Sequence, residues 1–179
     1  MKRIALFFGS RTGNNEIYKN KTLEFSNWIL ENKYPIIYGG SRIGLMGILA
    51  DNILKYNGDI IGVMPEHLSG RELYHKGVKE FYVVKDMHER KKKIFDLADA
   101  FIALPGGAGT MDEIFEMITW SQIGLHSKPY AFYNINSYFD FLRDFLDHME
   151  KEGFMSKEER KKIFISDSLE DIKKHIDEN

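Results

Sequence analysis

Short runs of apolar residues recur along the whole chain, and many of them end at a glycine or a proline. The runs are brief and almost continuously apolar, which is typical of parallel strands that are covered on both faces. We therefore predict seven strands, over residues 3–8, 36–38, 60–64, 81–84, 101–104, 130–133 and 163–165.

Longer segments with the apolar spacing of a helix lie between these runs. The strict alternation of the two patterns predicts an α/β fold, a Rossmann-like doubly wound parallel sheet of about seven strands with helices on both faces. Residues 66–78 are predicted to be a loop or a poorly formed helix. No repeat or linker divides the chain, so residues 1–179 are predicted to form a single domain. The helices are predicted over residues 16–32, 45–56, 89–97, 111–123, 138–151 and 169–176.

Glycine follows three of the predicted strands. In a doubly wound sheet, ligands bind at the carboxyl ends of the strands. These ends carry Gly9-Ser10, Gly39-Gly40-Ser41 and the run at residues 106–109. One glycine turn would be unremarkable, but three at the same edge indicate places where the backbone approaches a ligand closely.

Composition and charge exclude several classes of protein. The net charge of −2 gives no reason to expect a nucleic acid partner. The chain has no cysteine, which excludes disulfides and thiolate metal sites, and its six histidines show no metal-binding spacing. The apolar run at residues 4–8 is too short for a signal peptide, and no run approaches the ~18 residues of a membrane span. We therefore expect a cytoplasmic protein without a metal site.

The strongest local signal for a ligand is the sequence LPGGAGTMDE at residues 104–113. It follows an apolar strand and opens a helix, so its backbone N–H groups and the helix dipole would face an anion. Glycines let the backbone approach phosphate, and Thr110 adds a hydroxyl donor. No Gly-Lys-Ser/Thr follows, so the loop is not a Walker P-loop. A tight turn between a strand and a helix, without a ligand, is the alternative interpretation.

Two interpretations of Glu113 stay open from the sequence. Thr110 and Glu113 have the spacing of a capping box, in which the acid reaches back to the first amide of the helix. On a helical wheel, however, Glu113 lies with Glu116 and Trp120 on a side away from the apolar stripe formed by Met111, Ile114, Met117, Ile118 and Leu125. That grouping favours a wall of a binding site, and it is also one reason to expect a contact between two subunits of a homodimer.

Arg90 and Lys91 project onto the apolar face of their predicted helix, whereas Lys92 and Lys93 point outward. Charge at a core-facing position is unfavourable unless it is paired. Either these two side chains meet internal carboxylates or they meet an anionic ligand. A solvated surface run explains Lys92 and Lys93 better than it explains Arg90.

Four motifs together are similar to the Lonely guy (LOG) family, the cytokinin riboside 5′-monophosphate phosphoribohydrolases. They are YGGSRIGLMG at residues 38–47, MHERK at 87–91, LPGGAGTMDE at 104–113 and EMITWSQIGLHSKP at 116–129. The resemblance extends from Gly9 to about Phe164. It implies a Rossmann-like homodimer without an organic cofactor, which acts on adenine-type nucleotides.

The resemblance also implies which residues form the site, at the positions that match each motif. It implies that Arg90 and Glu113 are the catalytic pair. This chain departs from the family pattern at Arg11, Ser41 and Ala108, which lie beside the expected ligand and bear on the preferred base. The residues that the resemblance implies or places beside the substrate are Ser10, Gly40, Glu72, Met87, Lys91, Gly106, Gly107, Ala108, Gly109, Thr110, Met111, Asp112, Glu116 and Thr119.

The expected activity is hydrolysis of the N-glycosidic bond of an adenosine 5′-monophosphate, with or without an N6 substituent. Three other functions compete with it. A non-catalytic nucleotide-binding protein would keep the glycine loops without needing Arg90 and Glu113 together. An amino-acid decarboxylase would need a lysine Schiff base with pyridoxal phosphate, for which Lys91 is the only lysine in a plausible motif. A structural dimer module would leave the glycines at three strand ends poorly explained.

Overall fold

The computed structural model describes residues 2–69 and 73–179. Its centre is a sheet of seven strands, and every neighbouring pair in it is parallel. In chain order the strands are β1 (Ile4–Phe7), β2 (Ile36–Tyr38), β3 (Ile60–Pro65), β4 (Glu80–Val84), β5 (Ala100–Ala103), β6 (Tyr130–Tyr133) and β7 (Phe164–Ser166).

Helices connect the strands in the described ranges. None of them is long and apolar enough to cross a lipid bilayer. They are α1 (Ile17–Glu31), α2 (Gly44–Lys55), α3 (Glu66–Ser69), α4 (Met87–Leu97), α5 (Ala108–Gln122), α6 (Asp140–Lys151), α7 (Lys157–Lys162) and α8 (Leu169–Glu178).

The strand order in the sheet is β4-β3-β2-β1-β5-β6-β7. Strands β2, β3 and β4 lie in succession on one side of β1, and strands β5, β6 and β7 lie in succession on its other side. Such a reversal opens a crevice between β1 and β5 at their carboxyl ends, which is where ligands bind in open α/β sheets. Phe7 pairs with Ala103 across these two strands, so the turns that follow them lie side by side.

Each face of the sheet is covered by a separate apolar layer. On one face, α1, α2 and α8 bury Phe25, Leu49 and Ile172. On the other, α4 and α5 bury Ile94 and Ile114, and α6 covers the same side. The predicted doubly wound fold with helices on both faces is therefore confirmed.

All seven predicted strands and all six predicted helices are present, with shifts of a few residues at their ends. Helix α4 begins two residues earlier than predicted because Asp86 caps it. The Asp86 carboxylate accepts hydrogen bonds from the backbone of His88 and Glu89 at 2.9 and 3.0 Å. This cap fixes the first turn of α4 and with it the position of Arg90, whose amide bonds to the Asp86 carbonyl oxygen.

Within the described residues, helix α7 and a single 3-10 turn at Ile135–Ser137 were not predicted. Helix α7 has the sequence KEERKK, which has no apolar periodicity. It is held by a capping box between Ser156 and Glu159, in which each side chain bonds to the backbone of the other. The segment predicted to be a loop or a poor helix contains α3 and a single antiparallel bridge between Tyr74 and Ser41.

The prediction that Leu125 belongs to the core stripe of α5 is wrong, because its side chain is 63% exposed. The helix ends at Gln122, and Gly124 has a φ of +79°. Gly124 and Leu125 donate back to the carbonyl oxygens of Ser121 and Trp120, which is the Schellman arrangement. Leu125 therefore lies beyond the helix, where helical spacing no longer applies.

Candidate active site

Glycine lets the turns after β1 and β5 approach each other closely. The Gly9 amide donates to the Pro105 carbonyl oxygen at 3.1 Å. A Cβ atom at Gly106 would lie 2.1 Å from the Thr110 hydroxyl and 2.9 Å from the Gly9 nitrogen. Gly106 is therefore required by the fold, since any side chain would push the two turns apart.

The amino terminus of α5 is open to a ligand. The helix begins at Ala108, and its N-cap residue, Gly107, makes no side-chain cap. A Cβ atom at Gly107 or Gly109 would meet no atom within 4 Å, and neither residue has a positive φ. The fold therefore does not require glycine at these two positions, whereas a ligand that contacts the backbone would. The helix dipole and the first amides favour an anion here.

The capping-box interpretation of Glu113 is wrong. Because α5 begins before Thr110, this threonine is the third residue of the helix, and it is not the N-cap. The Glu113 carboxylate is buried and pairs with the guanidinium of Arg90 on α4.

A cavity of about 520 Å³ lies where the two glycine turns meet. Its walls combine backbone from both turns with apolar and aromatic side chains, a composition typical of pockets for small molecules. The cavity is lined by residues 9–13, residues 105–110, Phe8, Tyr18, Leu45 and Tyr138.

Arg90 and Glu113 form a buried ion pair between α4 and α5. Arg90 Nη1 donates to Glu113 Oε1, and Arg90 Nε donates to the Val63 carbonyl oxygen at 3.1 Å. The two residues are 8% and 7% exposed. A Cβ atom at Gly39 would lie 2.6 Å from Arg90 Nη2, so glycine at the end of β2 makes room for the guanidinium. The core-facing arginine thus meets an internal carboxylate.

Burial and neighbouring charge act on this pair in opposite directions. Burial raises the pKa of the Glu113 carboxyl above its ordinary value, while the Arg90 guanidinium opposes the rise. For Lys91, burial lowers the pKa of the ammonium group, but Asp112 and Glu116 outweigh burial and raise it. Lys91 Nζ lies 2.8 Å from Asp112 Oδ2 and 3.5 Å from Glu116 Oε2. Lys91 therefore carries its positive charge beside the amino-terminal half of α5.

The structure brings many of the predicted residues to this edge of the sheet. Ser10 and Ala108 are exposed in the cavity wall, and Thr110, although buried, also lines it. Gly40 has a φ of +76°, and a Cβ atom there would overlap the ring of Phe81 at 2.7 Å. Met87 begins α4, and Met111 lies half-buried in the first turns of α5.

Other predicted residues are not among those that line the cavity, and they include the predicted catalytic pair. These residues are Arg90, Glu113, Gly40, Met87, Lys91, Met111, Asp112, Glu116 and Thr119. The Thr119 hydroxyl donates to the Phe115 carbonyl oxygen of its own helix at 2.8 Å. Thr119 follows Ala108 by eleven residues, which is ~16 Å along the helix axis. Glu72 lies outside the described residues, so its predicted contact with substrate stays a prediction.

Sequence reasoning missed several residues of the cavity wall. Thr12 and Gly13 follow the glycine turn of β1, Tyr18 lies at the start of α1, and Tyr138 lies after β6. Since β6 neighbours β5, the turn after β6 had to reach the same edge of the sheet. The strand order alone could have included Tyr138 among the candidates.

The neighbours of Trp120 differ from those expected of an interface residue. The Trp120 ring packs edge-on against Phe95 of α4, with the ring centroids 5.0 Å apart. Together with the ion pairs of Arg90 and Lys91, this contact joins α4 to α5 within the same chain. Side chains of α4 therefore contact the side of α5 that carries Glu113, Glu116 and Trp120 within the same chain.

Solved structures with the same architecture include cofactor carriers. A molybdenum cofactor binding protein from Rippkaea orientalis has a TM-score of 0.70 at 18% identity, with 99% of this chain and 97% of that chain covered. The Moco carrier protein from Chlamydomonas reinhardtii also has a TM-score of 0.70, at 14% identity, with both chains fully covered. At these identities the likeness shows the fold alone.

Sequence comparison gives much nearer relatives. A family model described as possible lysine decarboxylase matches residues 46–176. A cytokinin riboside 5′-monophosphate phosphoribohydrolase from Arabidopsis thaliana is 38% identical over 177 residues, which cover 99% of this chain and 83% of the relative. The enzyme of that name from Rhodococcoides fascians is 39% identical over 170 residues, covering 94% and 86%. The chain therefore belongs to the Lonely guy family, that of the cytokinin riboside 5′-monophosphate phosphoribohydrolases.

Proposed function

We propose that the protein hydrolyses the N-glycosidic bond of adenosine 5′-monophosphates, including those with an N6 substituent, and releases the free base and ribose 5-phosphate. One observation carries the proposal. Helix α5 has both an open, glycine-lined amino terminus and a buried carboxylate, Glu113, which is paired with Arg90. The names of the relatives support it, because each is a riboside 5′-monophosphate phosphoribohydrolase.

The phosphate of the substrate would bind at residues 106–110. Gly107 and Gly109 leave space there for close approach, and Thr110 adds a hydroxyl group. The ammonium of Lys91 lies beside the amino-terminal half of α5, but its charge is already balanced by Asp112 and Glu116. Phosphate held in this way fixes the sugar and supplies binding energy from a part of the substrate that does not react.

The bond to the base breaks through a sugar cation that resembles an oxocarbenium ion. Glu113 follows Thr110 by three residues, a rise of ~4.5 Å along α5. In the proposed complex the sugar would lie next to this carboxylate, whose negative charge would stabilise the developing positive charge. Water adds to the anomeric carbon, and the base leaves with the bonding electrons and takes up a proton.

Arg90 does not supply that proton, because guanidinium does not deprotonate in proteins. Its role in this proposal is to hold the Glu113 carboxylate in place through Nη1, while Nε anchors the guanidinium to β3. The site of the reaction is thereby prepared before substrate binds, which is the condition for strong electrostatic stabilisation.

A decarboxylase, as the family model's description suggests, agrees less well with the geometry. A Schiff base with pyridoxal phosphate needs an uncharged lysine amine. The pKa of Lys91 is raised, because its pairing with Asp112 and Glu116 outweighs the opposing effect of burial. Lys91 therefore stays protonated near neutral pH and is a poor candidate for that chemistry.

The first prediction tests both the reaction and the phosphate site. We expect ribose 5-phosphate to form from AMP or from an N6-substituted AMP, with little release of base from the unphosphorylated nucleoside. The measurement is chromatography of free base with each substrate, which also shows whether an N6 substituent is preferred. Equal rates on nucleoside and nucleotide would contradict the phosphate site, and no release of base from either would favour a non-catalytic nucleotide-binding protein.

We also propose that residues 1–179 act as one domain and that two copies form a homodimer. Large apolar side chains are exposed at the end of α5 and on α6, and their burial between two copies would remove apolar surface from water. The exposed residues are Ile123 (65%), Leu125 (63%), Phe141 (87%) and Phe145 (55%).

A cytoplasmic location of the protein stays a prediction.

The dimer has its own test. We expect sedimentation equilibrium to give about twice the chain mass of 20.9 kDa, and we expect Phe141→Ser to weaken the association. A control substitution, Lys55→Ser, changes an exposed residue of α2 on the opposite face of the sheet and should leave the mass unchanged. A single species of chain mass at working concentration would overturn the proposal.

A further inference from the structure

The turn that follows β6 combines a strained backbone with side-chain hydrogen bonds at both of its ends. Asn136 and Ser137 both adopt left-handed backbone angles, with φ of +53° and +57°. Non-glycine residues persist in this region only where their surroundings determine the conformation. Here the Asn134 side chain does so, since its oxygen accepts from the Phe139 amide at 2.7 Å and its nitrogen donates to Asp140 at 2.8 Å.

This turn delivers Tyr138 to the cavity at the amino terminus of α5. The Tyr138 hydroxyl donates to the Gly106 carbonyl oxygen at 2.6 Å. Its ring meets the ring of Tyr18 edge-on, with centroids 6.0 Å apart and planes at 86°. The side chain lines the cavity and is 41% exposed, so core packing does not explain why it is held in place.

The peptide that Tyr138 binds lies between two glycines, Gly106 and Gly107. Such a peptide can rotate easily, because glycine populates both signs of φ. Rotation would turn the Gly106 carbonyl oxygen toward a bound anion and would turn the Gly107 N–H group away from its original direction. A hydrogen bond to that carbonyl oxygen fixes the plane of the peptide.

We propose that Tyr138 is a positioning residue for phosphate recognition. Its hydroxyl holds the Gly106–Gly107 peptide so that the carbonyl oxygen cannot face the phosphate of the substrate. The inference rests on the proposed function, since it names how the same site selects phosphorylated substrates. Tyr138 does not need to touch the reacting atoms.

The test compares Tyr138→Phe with Tyr82→Phe, a matched control. Tyr82 lies on β4, and its hydroxyl also makes one hydrogen bond, to Glu80 at 3.0 Å. Steady-state kinetics with AMP should show a KM raised about fivefold for Tyr138→Phe, the effect of one hydrogen bond, and a kcat within about twofold of the parent. The slow hydrolysis of adenosine should be unchanged, and Tyr82→Phe should match the parent in both assays.

Titration calorimetry with ribose 5-phosphate provides a readout that does not need turnover. Affinity should fall by a similar factor in Tyr138→Phe and stay unchanged in Tyr82→Phe. An unchanged KM for AMP together with unchanged ribose 5-phosphate affinity would overturn the inference. Equal effects on AMP and adenosine would do the same, since they would indicate a contact with the base or sugar. If the parent binds ribose 5-phosphate but releases no base, the proposed function fails while the calorimetry still decides the role of Tyr138.

Discussion

Glu113→Gln is expected to lower the rate of base release by about 10²–10³-fold while the protein stays folded. Glutamine keeps the size of the side chain and can still accept the hydrogen bond from Arg90, but it has no negative charge. If the carboxylate stabilises the sugar cation, most of its contribution disappears with that charge. Base release from AMP measures the rate, and circular dichroism with a thermal melt measures the fold.

The chain supplies a matched control for this substitution. Glu159 is a true capping-box residue, whose carboxylate accepts from the Ser156 amide at 2.7 Å. Glutamine also serves at this position of a capping box, so Glu159→Gln should change neither stability nor turnover appreciably. Release of base by Glu113→Gln within about threefold of the parent would contradict a catalytic role.

The pH dependence should separate the same two substitutions. Burial raises the pKa of Glu113, against the opposing effect of Arg90, so protonation begins at a higher pH than for an exposed glutamate. The proposed active form is the carboxylate. The rate should therefore fall on acidification, at a pH above the ordinary glutamate value of ~4.3. This fall should persist in Glu159→Gln and be absent from the residual rate of Glu113→Gln.

The sequence predicted the fold well because the signals that determine it are local and repeated. The apolar runs and the helical spacing between them were sufficient to place every strand and the longer helices. The glycines after β1 and β5 indicated the edge of the sheet at which the cavity lies. The unfavourable position of Arg90 on an apolar face predicted either an internal carboxylate or an anionic ligand, and the structure shows the carboxylate of Glu113.

Other features depend on contacts between distant parts of the chain, which spacing cannot show. The capping box at Thr110 and Glu113 had the right residue types, but the glycine turn lets α5 begin before Thr110. Tyr138 had no motif around it, and its role emerges only when β6 is placed beside β5. Helix α7 lacks apolar periodicity, so only its capping box could have indicated it.

Arg90→Lys should lower base release about as strongly as Glu113→Gln, although it preserves the charge. Arg90 bonds to two partners in different directions, the Glu113 carboxylate through Nη1 and the Val63 carbonyl oxygen through Nε. Lysine has one nitrogen on a flexible stem and cannot reproduce this planar fork. The carboxylate would then lose its fixed orientation, so the substitution tests geometry with the charge held constant.

The matched control for Arg90→Lys is Arg143→Lys, which alters an exposed ion pair with Asp140 on α6 at 3.0 Å. Such exposed pairs contribute little to stability, so turnover and melting temperature should stay near the parent values. A double variant, Arg90→Lys with Glu113→Gln, then asks whether the two residues act as one unit. If they do, the double variant should lose no more activity than the worse single variant, because each change removes the same arrangement. Losses that multiply would show that Arg90 acts on the substrate independently of Glu113, and the positioning role assigned to it here would be wrong.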